Sequence, residues 1–279
     1  MSAHSKLPRA CVIGWPVKHS RSPKIHNYWL KKFGLAGIYE MAEVAPDDLV
    51  RFIRSMPENG FRGGNVTVPH KQAVLPLCDH LTERAREIGA VNTLWFEKGA
   101  LYGDNTDALG FSSNLDNCAP EWRKARRAMV LGAGGAARAI VYALCEAGIE
   151  ELVVINRDVM RARSLKHLWR GTFRVGDWSS IADYLPETDL LINTTSLGMR
   201  DQPPLVLPWE KTHAGLIVHD IVYVPLETEL LKAAKAHGYK VVDGLGMLLH
   251  QAVPGFAHWF GSTPQVTAEL RQFILDEIG

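Results

Sequence analysis

Between Ala128 and Ile155 the chain reads as a short apolar strand (Ala128–Leu131), a glycine turn (Gly132-Ala133-Gly134-Gly135-Ala136-Ala137), a helix (Gly135 to Ala147) and a second apolar strand (Leu152–Ile155). Nothing else in the sequence constrains the fold as much. A continuous apolar run bounded by glycine is what a strand buried on both faces requires. The first glycine permits the tight turn, the second lets backbone approach a pyrophosphate, and the third position needs only a small side chain, here Ala137. The helix amino terminus then offers N–H groups and dipole to an anion. With strand, helix and next strand in order, the segment predicts a Rossmann-like dinucleotide site; a merely tight turn is the alternative.

The same alternation runs on at both sides. Asp189–Ile192, Gly215–His219 and Tyr239–Val242 read as further strands, with helices over Asp158–Trp169 and Glu227–His237. Upstream, strands are expected at Ala10–Ile13, Ile38–Ala42 and Gly64–Val68. Helices are expected at Ser22–Phe33 and Pro46–Met56, and a helix-rich stretch from Lys71 to Ile88. Such alternation is the signature of βαβ units on a mostly parallel sheet. At 279 residues the chain suits two domains. Their boundary is expected between Asp107 and Arg127, along a helix from Asp107 to Cys118. The strandless, helical stretch from Gly246 can pack back on the first domain and make it discontinuous.

Composition excludes several classes of function. A formal charge of +1 gives no field for nucleic acid or anionic membrane, and the basic run Arg123–Arg127 reads as a solvated surface. Cys11, Cys78, Cys118 and Cys145 are scattered without CxxC or metal spacing, so structural thiols in a reducing cytoplasm are expected and no metal. Met1 to Arg9 lacks the apolar core of a signal peptide, and no run of about 20 uncharged apolar residues is present to span a membrane.

Chemistry points first to Lys71. The run Asn65-Val-Thr67-Val-Pro69-His-Lys71 begins as a β-branched strand and is expected to stop at Pro69, which cannot donate to a ladder. That leaves Lys71 at the carboxyl end of a buried strand, where α/β proteins bind ligands. Asp107, in Asn105-Thr106-Asp107, offers a carboxylate to pair with it. A lysine, a carboxylate and a nicotinamide site together suggest proton transfer coupled to hydride transfer. Ser22 before Pro23 reads as an N-cap with proline at N1, or, with Ser20, as a seat for a small carboxylate at a helix start. Asn92, at the end of an extended segment, is either a ligand group or a turn former. Thr194 to Met199 is either a ribose-lining loop or simply a turn. At the end of the second cofactor strand, where NAD sites carry an acid, stand Asn156 and Arg157, with Arg161 a helical turn later. Two guanidiniums suit a 2′-phosphate, unless they are surface arginines capping a helix; Asp158 beside them would weaken that selectivity.

As a set, these motifs resemble the shikimate dehydrogenase family over nearly the whole chain. They are GWPVKHSRSPKIHN at 14–27, NVTVPHK at 65–71, GAVNT at 89–93 and GDNTDALG at 103–110, then GAGGAARA at 132–139 and NRDVMRA at 156–162. NTTSLGM at 193–199, DIVYVPLET at 220–228 and DGLGMLLHQA at 243–252 complete the order. The resemblance implies an α/β protein of two domains: a discontinuous substrate domain of residues 1–108 and 246–279, and a Rossmann-like NADP domain of residues 109–245. It implies NADP-dependent interconversion of 3-dehydroshikimate and shikimate in aromatic amino-acid biosynthesis, by a cytoplasmic monomer or homodimer. Carried over by motif, Ser20, Ser22, Thr67, Asn92, Tyr223 and Gln251 would hold substrate, with Lys71 and Asp107 at the reacting hydroxyl. Gly132, Ala133, Gly134, Gly135, Ala136, Asn156, Arg157, Arg161, Ile221, Gly244 and Met247 would contact NADP.

Two positions depart from the family pattern: Asp158 where a threonine is frequent, and Ile221 where a methionine is common. A quinate/shikimate dehydrogenase using NAD is the alternative; Thr67 favours shikimate. A non-catalytic relative would be expected to lack Lys71 or Asp107, and the paired serines and Gln251 argue against a folate dehydrogenase.

Overall fold

A computed structural model describes residues 7–277 of the chain. Residues 1–6, part of the segment read above for a leader, lie outside the described residues, as do 278 and 279. Two compact units form: residues 7–106 together with Gln251–Glu277, and Asp107–His250.

In the first unit the elements run β1 (Arg9–Gly14), α1 (Ser22–Phe33), β2 (Ile38–Glu43), α2 (Leu49–Ser55), β3 (Phe61–Val66), β4 (His80–Leu81), α3 (Glu83–Ile88), β5 (Thr93–Glu97) and β6 (Ala100–Asp104). The sheet order is β2-β1-β3-β5-β6-β4. Strands β1, β2 and β3 are parallel, but β5 runs antiparallel to both β3 and β6. With β4 parallel to β6, the sheet is mostly parallel as expected, and β5 is its one reversed strand. The reason is the two-residue turn Lys98-Gly99, where both residues have positive φ (50° and 84°) and reverse the chain at once. The stretch Lys71–Ile88 is largely turns, with a 3₁₀ turn, the short β4 and only the six residues of α3. Asn92 precedes β5 instead of ending a strand.

The second unit comprises α4 (Asp107–Cys118), β7 (Arg127–Leu131), α5 (Gly135–Glu146), β8 (Glu151–Ile155), α6 (Val159–Arg163), β9 (Thr172–Gly176) and α7 (Ile181–Tyr184). It continues with β10 (Leu190–Asn193), β11 (Ile217–Asp220), α8 (Glu229–Ala236) and β12 (Lys240–Val242). Helix α9 (Leu245–Phe260) begins here and ends in the first unit, which α10 (Ala268–Asp276) completes. The order β12-β11-β10-β7-β8-β9 is parallel throughout. The winding direction reverses between β7 and β10, and the carboxyl ends of the strands at such a switch point form the ligand crevice of doubly wound sheets. Every residue of β10 and β11, and all but the first of β7 and β8, is buried, which is why β7, β8 and β10 carry apolar runs, while β11 ends on the buried polar pair His219 and Asp220. Strand β9 alternates exposed and half-buried residues and carried no such signal. No helix of the described residues is long and apolar enough to cross a membrane.

Each unit buries one histidine completely. His26 stacks on Tyr39 at 4.1 Å between ring centroids, and His219 lies against Phe111 and reaches Asn114 Nδ2 at 3.3 Å. Burial pushes His26 down to about 3 and His219 to about 4, while it raises Asp220 to about 6. The two histidines contribute stability that is present above pH 6.5 and lost as pH falls, because the unfolded chain takes up the protons first. Asp220 acts with the opposite sign: its contribution is full below about pH 4 and lost as pH rises through 6. Stability should therefore fall by roughly 2–3 kcal/mol between pH 6.5 and 4.5, before ordinary carboxylates titrate. Urea midpoints across that range would check it, with a shallower slope expected for His26→Phe. A flat profile in the native protein would refute the argument.

Candidate active site

In the first unit the polar residues near the carboxyl ends of β1 and β3 form one hydrogen-bonded series. Ser22 does not cap α1: the N-cap is Arg21, without a side-chain bond, and Ser20 Oγ instead accepts from the Ser22 N–H at 3.3 Å. The buried Ser22 side chain stands beside Tyr39 instead. Tyr39 donates to Asn65 Oδ1 at 2.6 Å, and burial raises its phenol well above the ordinary value against the pull of these bonds. Asn65 Nδ2 reaches the Asn92 carbonyl at 3.2 Å and Thr93 Oγ1 at 3.3 Å. Asn92 Oδ1 accepts from the Thr106 N–H at 2.7 Å, and Asn92 Nδ2 donates to Gln251 Oε1 at 3.4 Å. Thr106 Oγ1 donates to the Gln251 carbonyl at 2.9 Å.

Lys71 follows this series in a turn held from several sides. Strand β3 is assigned only to Val66, three residues short of Pro69. Its ladder to β1 nevertheless persists, through Thr67 N–H to the Ile13 carbonyl at 2.9 Å and Trp15 N–H to the Val68 carbonyl at 3.1 Å. The buried His70 ring meets the Val44 carbonyl at 2.7 Å, and the Lys71 carbonyl accepts from the Val91 N–H at 2.7 Å. Thr67 is half-buried, its methyl pressed on Gly14 so closely that a Cβ there would stand 2.5 Å away. Ser20, Ser22, Thr67, Lys71, Asn92 and Gln251 thus belong to the same unit, with Asn92 and Gln251 in direct contact.

The second unit holds the other expected residues. Gly132 turns out of β7 with φ +104°, and a side chain there would meet Thr194 Oγ1 at 2.7 Å. Thr194, just beyond β10, returns two bonds to the Leu131 carbonyl, from its N–H at 2.8 Å and its hydroxyl at 2.7 Å. The two strand ends at the switch point are thereby tied together. Beyond them the space opens: no atom lies within 4 Å of where a Cβ would stand on Gly134 or Gly135. Helix α5 starts there without a side-chain cap, and Ala137 is fully buried beneath it. An open glycine approach to uncapped N–H groups fits a pyrophosphate.

At the end of β8, Asp158 turns its carboxylate onto the start of α6, accepting from Met160 N–H at 3.0 Å and Arg161 N–H at 3.2 Å. Asn156 Nδ2 donates to the Asp158 carbonyl at 2.8 Å. Arg157 and Arg161 are exposed, and neither guanidinium takes part in an ion pair among the described residues. Asp158 is therefore the cap, and the arginines fit a 2′-phosphate. Gly244 packs so tightly on the Ile221 carbonyl that a Cβ would stand 2.2 Å from it. Met247 follows, nearly buried in the first turn of α9. Tyr223 is half-buried in the loop between β11 and α8, and the buried Asp107 opens α4.

Sequence reasoning assigned no role to Tyr39, Asn65, Thr93 or Thr106. Asn65 and Thr106 stand inside motifs already noted, and their uncharged polarity among buried neighbours was the available signal. Tyr39, in an edge strand of mixed polarity, offered none.

A family model described as the shikimate dehydrogenase substrate binding domain matches residues 12–94, and one described as shikimate / quinate 5-dehydrogenase matches residues 118–199. The shikimate dehydrogenase (NADP(+)) of Mesorhizobium japonicum is 51% identical over 275 residues, covering 97% of this chain and 96% of that protein. Among solved structures, the quinate dehydrogenase of Corynebacterium glutamicum in complex with NAD matches with a TM-score of 0.90 and 34% identity, over 96% of this chain and 98% of that one. The shikimate 5-dehydrogenase of Thermus thermophilus in complex with NADP(H) and shikimate matches with a TM-score of 0.84 and 37% identity, over 97% and 98%.

Proposed function

The chain belongs to the shikimate dehydrogenase family, and on that footing we propose that it catalyses the reversible NADP-dependent reduction of 3-dehydroshikimate to shikimate, in the cytoplasm. The observation that carries this reading is the hydroxyl and amide series from Tyr39 through Asn65 and Asn92 to Gln251, beside the turn that presents Lys71. A polyhydroxylated ring with one carboxylate needs such a surface: hydroxyls for the carboxylate, amides for the ring hydroxyls.

When bound, NADPH would supply the hydride for reduction of the ring ketone. Ser20 and Ser22 donate to the substrate carboxylate. Thr67, Asn92, Gln251 and Tyr223 orient the ring. Lys71 Nζ gives a proton to the carbonyl oxygen as it becomes a hydroxyl, and takes it back in the oxidising direction. Asp107 accepts a hydrogen bond from a substrate hydroxyl. Gly132 to Ala136 would hold the pyrophosphate of NADP and Arg157 and Arg161 its 2′-phosphate, and Asn156, Ile221, Gly244 and Met247 would complete the cofactor contacts. The enzyme acts as a monomer or homodimer.

Initial rates with shikimate and with quinate, each with NADP and with NAD, test the assignment. Shikimate with NADP should give the highest kcat/KM. A higher value for quinate with NAD would overturn it in favour of the quinate enzyme.

A further inference from the structure

Asp220 has no part in the chemistry above, yet it is fully buried and accepts three hydrogen bonds. It ends β11 in register with Asn193, the last residue of β10. Asn193 Nδ2 donates to its Oδ1 at 3.0 Å, Val222 N–H donates to the same oxygen at 3.0 Å, and Thr228 Oγ1 donates to Oδ2 at 2.7 Å. Asn193 has no choice of orientation, since its own Oδ1 accepts the Thr195 N–H at 3.0 Å and the Thr195 hydroxyl at 2.7 Å. Thr228 in turn caps α8, accepting from Leu231 N–H at 3.3 Å. One carboxylate therefore ties together the loop after β10, the loop after β11 that carries Ile221 and Tyr223, and the first turn of the next helix.

We propose that Asp220 is a positioning residue, whose carboxylate clamps both ends of the 221–228 loop and so holds Tyr223 where it meets the polyol. This rests on the reading of Tyr223 given under the proposed function. The chain offers no substitute for the clamp at these donors: both Oδ1 partners are N–H groups, which can only donate. A backbone N–H two residues on (Val222) and a hydroxyl eight residues on (Thr228) are pinned to the same rigid strand end. The segment between them keeps its shape through these ties and through the Arg200 N–H bond to the Val224 carbonyl at 3.1 Å. A loop so held pays its ordering cost on folding rather than on binding substrate.

Asp220→Asn is the informative change. The amide oxygen can keep the two N–H donors, and its NH₂ can face Thr228 once that hydroxyl rotates to accept, so the chain should still fold. The charge-assisted bonds are lost and the loop loosens. The KM for shikimate should rise roughly five- to thirtyfold, with kcat changed by less than about threefold. Thr228→Val should repeat the effect in milder form, and Thr228→Ser should restore it. A double-mutant cycle with Tyr223→Phe separates positioning from general stability. If Asp220 acts through Tyr223, its substitution adds little to KM once the phenol is gone. Additive effects, or a lowered Tm with an unchanged KM, would overturn the proposal alone. A Tyr223→Phe enzyme with native KM would remove the reading of Tyr223 and the proposal together.

Discussion

Lys71→Ala is expected to lower kcat by roughly 10²–10⁴-fold, the usual worth of a positioned general acid–base, while leaving the KM for shikimate within a few-fold of native. The turn that carries Lys71 has ties besides that side chain. It is held by the His70 ring on the Val44 carbonyl, by the Val74 N–H on the His70 carbonyl at 2.9 Å and by the Val91 N–H on the Lys71 carbonyl. Truncation should therefore leave Tm close to native. Lys71→Arg sharpens the test. Arginine keeps the positive charge but cannot release a proton near neutrality, so a purely electrostatic lysine would be rescued and a proton donor would not. Steady-state kinetics of the three enzymes, with Tm for each, decide the matter. Near-native turnover in the alanine variant would remove Lys71 from proton transfer.

The second large effect is expected at Arg157, whose replacement by alanine should cost roughly ten- to a hundredfold in NADP affinity, as charge-assisted bonds are worth about 1.5–3 kcal/mol each. NAD should scarcely notice, having no 2′-phosphate to lose. Asp158, the acidic neighbour that would oppose a phosphate, is engaged in capping α6, where the helix dipole favours its charge. Arg157 and Arg161 are exposed and unpaired by any carboxylate among the described residues. The ratio of NADP to NAD catalytic efficiency should accordingly be high in the native enzyme and collapse in Arg157→Ala. A native enzyme that prefers NAD, or a ratio unmoved by the substitution, would contradict the reading. Asp158→Ala should leave the ratio high while lowering stability, since it removes a cap.

What the sequence determined by itself is mainly the second unit. Strands β7, β8 and β10 are buried on both faces, so each had to carry an apolar run, and the turn after β7 had to carry glycine because φ is +104° at Gly132. These are local demands, met by residues next to one another. The helix over Ser22–Phe33 was legible for the same reason.

The first unit's sheet and the substrate residues' partners were decided only by the tertiary structure. The antiparallel β5 and β6 hang on one two-residue turn, a weak local signal beside the surrounding alternation. For Ser22 the local rule allowed a helix cap as well as a ligand seat, because a serine before proline satisfies it; the cap position falls to Arg21 instead, and Ser22 is buried beside Tyr39, 17 positions along the chain. Asn92 could have been a ligand group or a turn former by sequence, and only Thr106 and Gln251, the latter 159 residues away, supply its partners. Asp220 was given no role from the sequence, and only the register of β10 beside β11 brings Asn193 to it. A polar side chain at a strand end has the same local chemistry whether it faces solvent or a buried partner. Which of the two it does depends on what the rest of the chain delivers to that place, and no neighbouring residue encodes it.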